Sequence, residues 1–363
     1  MKPCVVNKKI LNVKRRIGEI MQKLPKLKLG DKVAVLSPSF AGAGQWPLVY
    51  ELGLKRLEDI FGLMPIEYQT TRKIGATMAE RTNDLVEVFS NPDIKAVFAS
   101  IGGDDQVTYI KNLPSEPFKN NPKPFFGYSD NSHLANFLFL NGIPSYYGGS
   151  ILTQFAMQGE MDSYTIEYLK RALFEAGDFE LIPSVTYNDQ GLDWNDLSNL
   201  TKKRQYWQND GHIWDGKVNA HGMLWGGCLE SVDEMLRHNV PIPTLEDFKN
   251  LVLMLETSEE LPTSDYVHRV MRALGERGIL ANVKAVLIGR AKAWEYHKQN
   301  SETEKDSYRK EQQETILKTV RKYNNEVPVI QNMNFGHTDP QIPMPYGGMV
   351  RIDSERQKIW AQF

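Results

Sequence analysis

The sequence holds only two cysteines, Cys4 and Cys228. One lies in a lysine-rich stretch and the other beside a Gly-Gly pair, so a disulfide framework is excluded as the source of stability. No run of about 18 apolar residues occurs, which leaves no segment able to cross a bilayer as a helix and predicts no membrane partner. The start, MKPCVVNKKILNVKRR, lacks the apolar stretch and small-residue cleavage site of a secretory signal, and cytoplasm is the expected compartment. Charge of one sign is missing too. The formal net charge is -2 and the signs are mixed along most of the chain, so the electrostatic footprint of a nucleic-acid binder is absent. The local exception is Lys8, Lys9, Lys14, Arg15, Arg16, Lys23, Lys26 and Lys28, which read as a solvated basic extension over residues 1–26. Neither H-E-x-x-H nor C-x-x-C occurs, and neither G-x-G-x-x-G nor a Walker lysine pattern, so no metal and no cofactor are expected.

What is present is an ordinary globular composition, 41% hydrophobic and 24% charged, with 15 Tyr, 15 Phe and 7 Trp to fill cores and line a pocket. At 363 residues the chain exceeds what one core usually serves, and two domains are expected, over 27–176 and 217–363. From Asp31 onward short β-branched or apolar runs alternate with helical patterns, the form of βαβ units and a mostly parallel sheet; the fold class is α/β. Strands are predicted at Lys32–Ser37, Ile94–Ile101 and Phe125–Tyr128, and helices at Trp46–Phe61, Ala79–Ser90 and Asn131–Leu140. A second α/β region with a mixed sheet is predicted from strands near 218–224, 251–256, 283–288, 327–331, 349–352 and 358–361. Between Gly177 and Gly216 periodicity fails, and Trp194, Trp207 and Trp214 mark that stretch as a substrate-covering loop rather than plain disorder. Ser301–Tyr323 is charged and helix-prone, the pattern of a solvated face without a catalytic part.

Four short motifs could carry chemistry. In FFGYSDNSHL, Ser129 falls at a strand-to-helix turn, where its hydroxyl is exposed at the carboxyl edge of the sheet beside the unpaired amides of the next helix. The segment is similar to the elbow G-x-S-x-G but carries Asn131 where the last glycine would be, and an N-cap serine or aspartate explains it as well. Gly102-Gly103 directly follows a strong strand, so the backbone there can approach a ligand and aim an amide at it; a tight turn is the competing reading. Gly226-Gly227-Cys228-Leu229-Glu230 and Phe335-Gly336-His337 each place one titratable side chain beside glycine at a strand end. A carboxylate on one imidazole nitrogen would leave the other free to take a serine proton. His133, one helical turn after Ser129, reads as a packing or surface residue.

Taken in order, KLKLGDKVAVLSPS, IGGDD, GYSD, GGCLE and FGHT resemble the LD-carboxypeptidase family of serine peptidases, which includes muramoyltetrapeptide carboxypeptidases and microcin immunity proteins. The resemblance runs from about Leu27 to the C-terminus and implies a Ser-Glu-His triad. By position it implies Ser129 as nucleophile, Glu230 as orienting carboxylate, His337 as general base, and the amides of Gly103 and Asp130 as the oxyanion hole. It implies further that the N-terminal domain carries the serine, that the C-terminal domain carries the other two, and that the site forms at their interface. Members favour substrates with a free carboxylate, for which Lys202, Lys203, Arg204 and Arg290 are candidates on charge alone.

Within the family the tryptophan-containing loop and the GGCLE form look closer to the microcin immunity type (MccF-like), since an indole can stack on a nucleobase. The expected partner is a small peptide or an aminoacyl nucleotide, met by Gly102, Trp194, Trp207, Trp214 and Arg204, and the expected assembly is a homodimer. A murein tetrapeptide is the competing substrate. A non-catalytic ligand-binding protein and an α/β-hydrolase esterase are the competing functional classes.

Overall fold

The computed structural model describes residues 17–363. The strands, in chain order, are β1 (Lys32–Leu36), β2 (Met64–Glu67), β3 (Ile94–Ala99), β4 (Phe125–Gly127), β5 (Ser145–Tyr147), β6 (Asp178–Glu180), β7 (Thr186–Tyr187), β8 (Trp207–Gln208), β9 (Ile213–Asp215) and β10 (Ala220–Cys228). They continue with β11 (Leu251–Glu256), β12 (Ala285–Gly289), β13 (Val329–Met333), β14 (Met344–Tyr346), β15 (Met349–Asp353) and β16 (Lys358–Gln362). A six-stranded sheet runs in the order β14-β5-β4-β3-β1-β2, parallel except for β14. An eight-stranded mixed sheet runs β6-β16-β15-β10-β11-β12-β13-β9, with β10 to β13 parallel.

The parallel strands read as near-continuous apolar runs because helices cover both faces. β11 is buried at every position, and β3 at every position but Lys95. The covering helices show the opposite, one-sided pattern. Pro47–Phe61 begins on a proline whose missing N–H costs nothing at a helix start, buries Val49, Tyr50, Gly53, Leu57 and Phe61, and stops at Gly62 in the left-handed region. Met78–Ser90 is fixed by a reciprocal cap between Thr77 and Glu80. One apolar cluster runs through both sheets, joining Val33, Phe98 and Phe126 to Leu224, Leu253 and Ile330.

The order of the first sheet reverses beside β1, and in such sheets ligands meet the carboxyl strand ends at that reversal. The segments leaving β1, β3 and β4 there are Ser37–Ser39, Ile101–Gly103 and Tyr128–Ser129. The parallel ends of β10 and β11 in the second sheet face the same place, as the contacts below show.

Several expectations change. The short strands β2, β5 and β14 escape a periodicity reading because they span four, three and three residues and two of them contain proline. β14 comes from the C-terminal segment yet pairs with β5, so the chain returns to the first sheet and a division at residue 217 is not clean. β10 runs on to Cys228, past the 218–224 range predicted for it and through the Gly226-Gly227 pair. Residues 177–216 are irregular, but β6 pairs with β16 and β9 with β13. The helix Glu302–Tyr323 is not wholly solvated: it buries Lys305, Tyr308, Arg309, Gln312, Ile316, Thr319 and Val320. Of the basic extension, Lys26 Nζ donates to Tyr146 Oη at 2.9 Å and to the Ala172 carbonyl at 2.8 Å, which ties this end to the first sheet. Lys8, Lys9, Lys14, Arg15, Arg16 and Cys4 lie outside the described residues. Among the described residues, no helix is long and apolar enough to cross a membrane.

Candidate active site

β4 ends at Gly127, Tyr128 is extended, and Ser129 turns to φ +64° before a short 3-10 turn leads into the helix Ser132–Leu140. A left-handed serine costs on the order of 1 kcal/mol and persists only where its surroundings enforce it. The enforcing contacts are present. Ser129 N donates to Tyr147 Oη at 3.1 Å, and the Ser129 carbonyl accepts from Ser132 Oγ at 2.7 Å and from Ser231 Oγ at 3.3 Å. Asn131, which replaces the expected glycine, donates to the carbonyls of Tyr128 (3.0 Å) and Ile101 (3.2 Å) and so staples the turn to the segment after β3. That segment passes very close: a Cβ on Gly102 would lie 2.9 Å from Ser129 Cβ and 3.1 Å from its Oγ. Gly102 therefore shapes the wall of the site, and Gly103 follows it at φ +147°. The Asp130 side chain points away from the serine, accepting from Ser39 Oγ at 2.5 Å and from Gln106 N at 3.1 Å. Burial raises its pKa.

His337 lies beside this turn, its ring 5.0 Å from that of Tyr128 and only 8% of its side chain exposed. Its Nδ1 is 2.7 Å from Glu256 Oε2, and its Nε2 is 2.9 Å from Glu259 Oε2. Glu256 closes β11 and is fully buried; its other oxygen accepts from Tyr147 Oη at 2.6 Å. Gly336 permits this approach, because a Cβ there would come within 2.4 Å of Glu256 Oε2. A continuous chain of contacts thus runs from His337 through Glu256 and Tyr147 to the Ser129 amide. Burial alone would lower the His337 pKa, but Glu256 and Glu259 outweigh it and raise it to about 10.

The expected carboxylate partner is corrected. Glu230 does not touch His337: one oxygen accepts from Ser258 N (3.0 Å) and Oγ (2.7 Å), and the other accepts from Cys228 Sγ at 3.1 Å. Burial and the neighbouring Glu256 raise its pKa. Glu256 was missed because it lies inside an apolar strand, LVLMLE, without an adjacent glycine; a lone acid ending a wholly apolar strand was the available signal.

Arg204 is likewise not free for substrate, since it pairs with Asp339 Oδ2 at 2.6 Å and donates to Asn188. Lys202 donates to Asn199, Lys203 pairs with Glu160, and Arg290 donates to Asn209 beneath the Tyr187 ring. The tryptophans separate. Trp207 lies under Lys305 Nζ at 4.0 Å, and Trp214 belongs to β9, paired with Ile330. Only Trp194 comes toward the serine side: its ring centroid is 4.9 Å from that of Trp46, which is 6.0 Å from Phe40. Phe40 itself borders Gly103. His133 is buried with Nε2 3.1 Å from Glu234 Oε2 and 3.5 Å from Asp130 Oδ1, the one three-donor group of metal-binding residue types among the described residues.

Comparison with known proteins agrees with this architecture. Residues 33–148 match the N-terminal domain of the LD-carboxypeptidase family and residues 221–352 its C-terminal domain. A Bacillus subtilis (strain 168) protein named as a carboxypeptidase, YocD, is 27% identical over 340 residues, covering 92% of this chain and 98% of that protein. Another B. subtilis protein, named as a murein peptide carboxypeptidase, is 24% identical over 335 residues, covering 90% of each. The solved structure of an MccF-like protein from Streptococcus pneumoniae in complex with AMP superposes with a TM-score of 0.79 at 25% identity, covering 92% of this chain and 98% of that one. The two matched domains together span most of the chain, which therefore belongs to the LD-carboxypeptidase family, peptidase family S66.

Proposed function

We propose that this chain is a serine amidase of the microcin immunity type, hydrolysing an amide bond in a peptidyl or aminoacyl nucleotide. Ser129 is the nucleophile, His337 the general base and Glu256 the carboxylate that fixes the histidine tautomer. The observation that carries the reading is the Glu256–His337 contact of 2.7 Å beside a left-handed serine turn. In this scheme Ser129 Oγ gives its proton to His337 Nε2 as it attacks the carbonyl, and the tetrahedral oxyanion is received by the amides of Gly103 and Asp130. His337 then protonates the leaving nitrogen, the amide C–N bond breaks, and an acyl-Ser129 ester remains. Water, deprotonated by His337, hydrolyses that ester and restores the serine.

The nucleotide preference rests on Trp194, set with Trp46 and Phe40 at the edge of Gly103, and on the AMP bound by the S. pneumoniae relative. A half-buried aromatic cluster with Phe40 exposed beside Gly103 offers a face to a nucleobase. Murein tetrapeptide cleavage is the second reading, favoured by the relative named as a murein peptide carboxypeptidase. A side-by-side assay of an aminoacyl sulfamoyl adenylate and a murein tetrapeptide separates the two. The nucleotide reading expects turnover of the first, no turnover in Ser129→Ala, and a loss of roughly 10- to 100-fold in kcat/KM for Trp194→Ala. Turnover of the tetrapeptide alone, or full activity of Ser129→Ala, would overturn it.

A further inference from the structure

The base nitrogen of the proposed triad is occupied. His337 carries a carboxylate on each ring nitrogen, Glu256 on Nδ1 and Glu259 on Nε2, and an imidazole bonded in this way holds both protons. An imidazolium cannot take the proton of Ser129. Glu256 is locked, with no exposed surface and a second contact to Tyr147. Glu259 is not: 52% of its side chain is exposed, it sits in the connection between β11 and the helix Ser264–Glu276, and beyond His337 its carboxylate meets its own backbone N–H and the charge of Lys292. The root of that connection stays fixed, because Ser258 is bonded to Glu230. Glu259 can therefore leave while the rest of the site keeps its form.

What draws it away follows from the charges around it. The cations flanking the cleft already have partners: Lys292 pairs with Glu295 at 2.6 Å, Arg204 with Asp339 at 2.6 Å and Arg81 with Asp105 at 2.8 Å. Two exposed carboxylates, Asp104 next to Gly103 and Glu260 next to Glu259, have no ion-pair partner among the described contacts. A released Glu259 is left with Lys292, a cation already paired with Glu295, and an ammonium on the substrate would supply a counter-charge of its own. We infer that Glu259 is a specificity-determining residue, which releases His337 to act as base when an ammonium group on the substrate takes its carboxylate. The inference rests on the proposed function. It adds that the residue supplying the scissile carbonyl carries a free amine. In the exchange no covalent bond changes except that the imidazolium gives its Nε2 proton to solvent, leaving a neutral base. A substrate without the amine leaves Glu259 in place and meets a blocked histidine.

The test uses one substrate of the preceding assay, an aminoacyl sulfamoyl adenylate, in free-amine and N-acetylated forms, with kcat/KM measured for the wild type, Glu259→Gln and Ser129→Ala. The expected result is a wild-type preference for the free amine of roughly tenfold or more, falling to within about twofold in Glu259→Gln, with the acetylated substrate turned over faster by the variant. A wild type without preference, a preference that survives Glu259→Gln, or an equal loss on both substrates would overturn it. Retained turnover by Ser129→Ala counts instead against the proposed function. If a murein tetrapeptide proves to be the substrate, the same pair is made at its diaminopimelate amine.

Discussion

Glu256 Oε2 lies 2.7 Å from His337 Nδ1, whereas the Glu230 carboxylate is taken up by Ser258 and Cys228. The two acids therefore differ in what their amides would do. Glu256→Gln replaces the carboxylate on Nδ1 with a neutral amide whose NH2 can donate there and select the wrong tautomer, and kcat is expected to fall by roughly 10³- to 10⁴-fold with little change in KM. Glu230→Gln keeps the hydrogen-bonding shape of its niche and is expected to stay within about tenfold of wild type. Steady-state kinetics of both variants decide the matter, and the reverse ranking would remove Glu256 from the triad.

The pH dependence follows from the two carboxylates on His337. With its pKa raised to about 10, the histidine is protonated through neutrality, so kcat/KM of the free enzyme climbs as pH rises toward that value. Glu259→Gln takes away one of the charges that favour the imidazolium. The ascending limb is then expected at lower pH, measured as a pH profile of kcat/KM from mild acid to pH about 10. An unmoved limb shows that Glu259 does not act on the histidine in solution.

A third expectation concerns the segment 177–216. Asp189 is fully buried between Lys305, at 3.1 Å, and Arg309, whose other amine reaches Tyr187 Oη. Asp189→Ala takes the buried acid from two interior cations, one with 0% and the other with 9% of its side chain exposed, and leaves them the exposed Glu302 (3.0 Å from Lys305) and Asp306 (3.6 Å from Arg309). Breaking such an arrangement costs about 3–5 kcal/mol, to be read from urea unfolding. A loss below about 1 kcal/mol would mean that Glu302, Asp306 and water suffice for the two cations.

Much of this was legible in the residues. The alternation from Asp31 onward specified the parallel core, since a strand buried on both faces must be apolar throughout, and the glycines at 102 and 336 marked the places where backbone had to come close. Ser129 stood out because it falls at a strand-to-helix turn, and His337 because it adjoins Gly336 at a strand end. Glu256 could not, because its environment is made by strands distant in sequence, and pairing distance leaves no local trace. Arg204, Trp207 and Trp214 misled for the same reason: a positive charge or an indole says what a side chain can do, and tertiary packing decides what it faces. Arg204 was already spent on Asp339. The short edge strand β14 was invisible because three residues carry no period.

The Tyr147 hydroxyl has a consequence for how the two halves hold together. It is a pin through both halves, gripping the backbone of the proposed nucleophile on one side and the proposed triad acid on the other. Any hinge motion that parts the lobes must pull that pin, slackening the serine elbow and the carboxylate in the same movement. The proposed serine and its proposed acid would then lose their placement together.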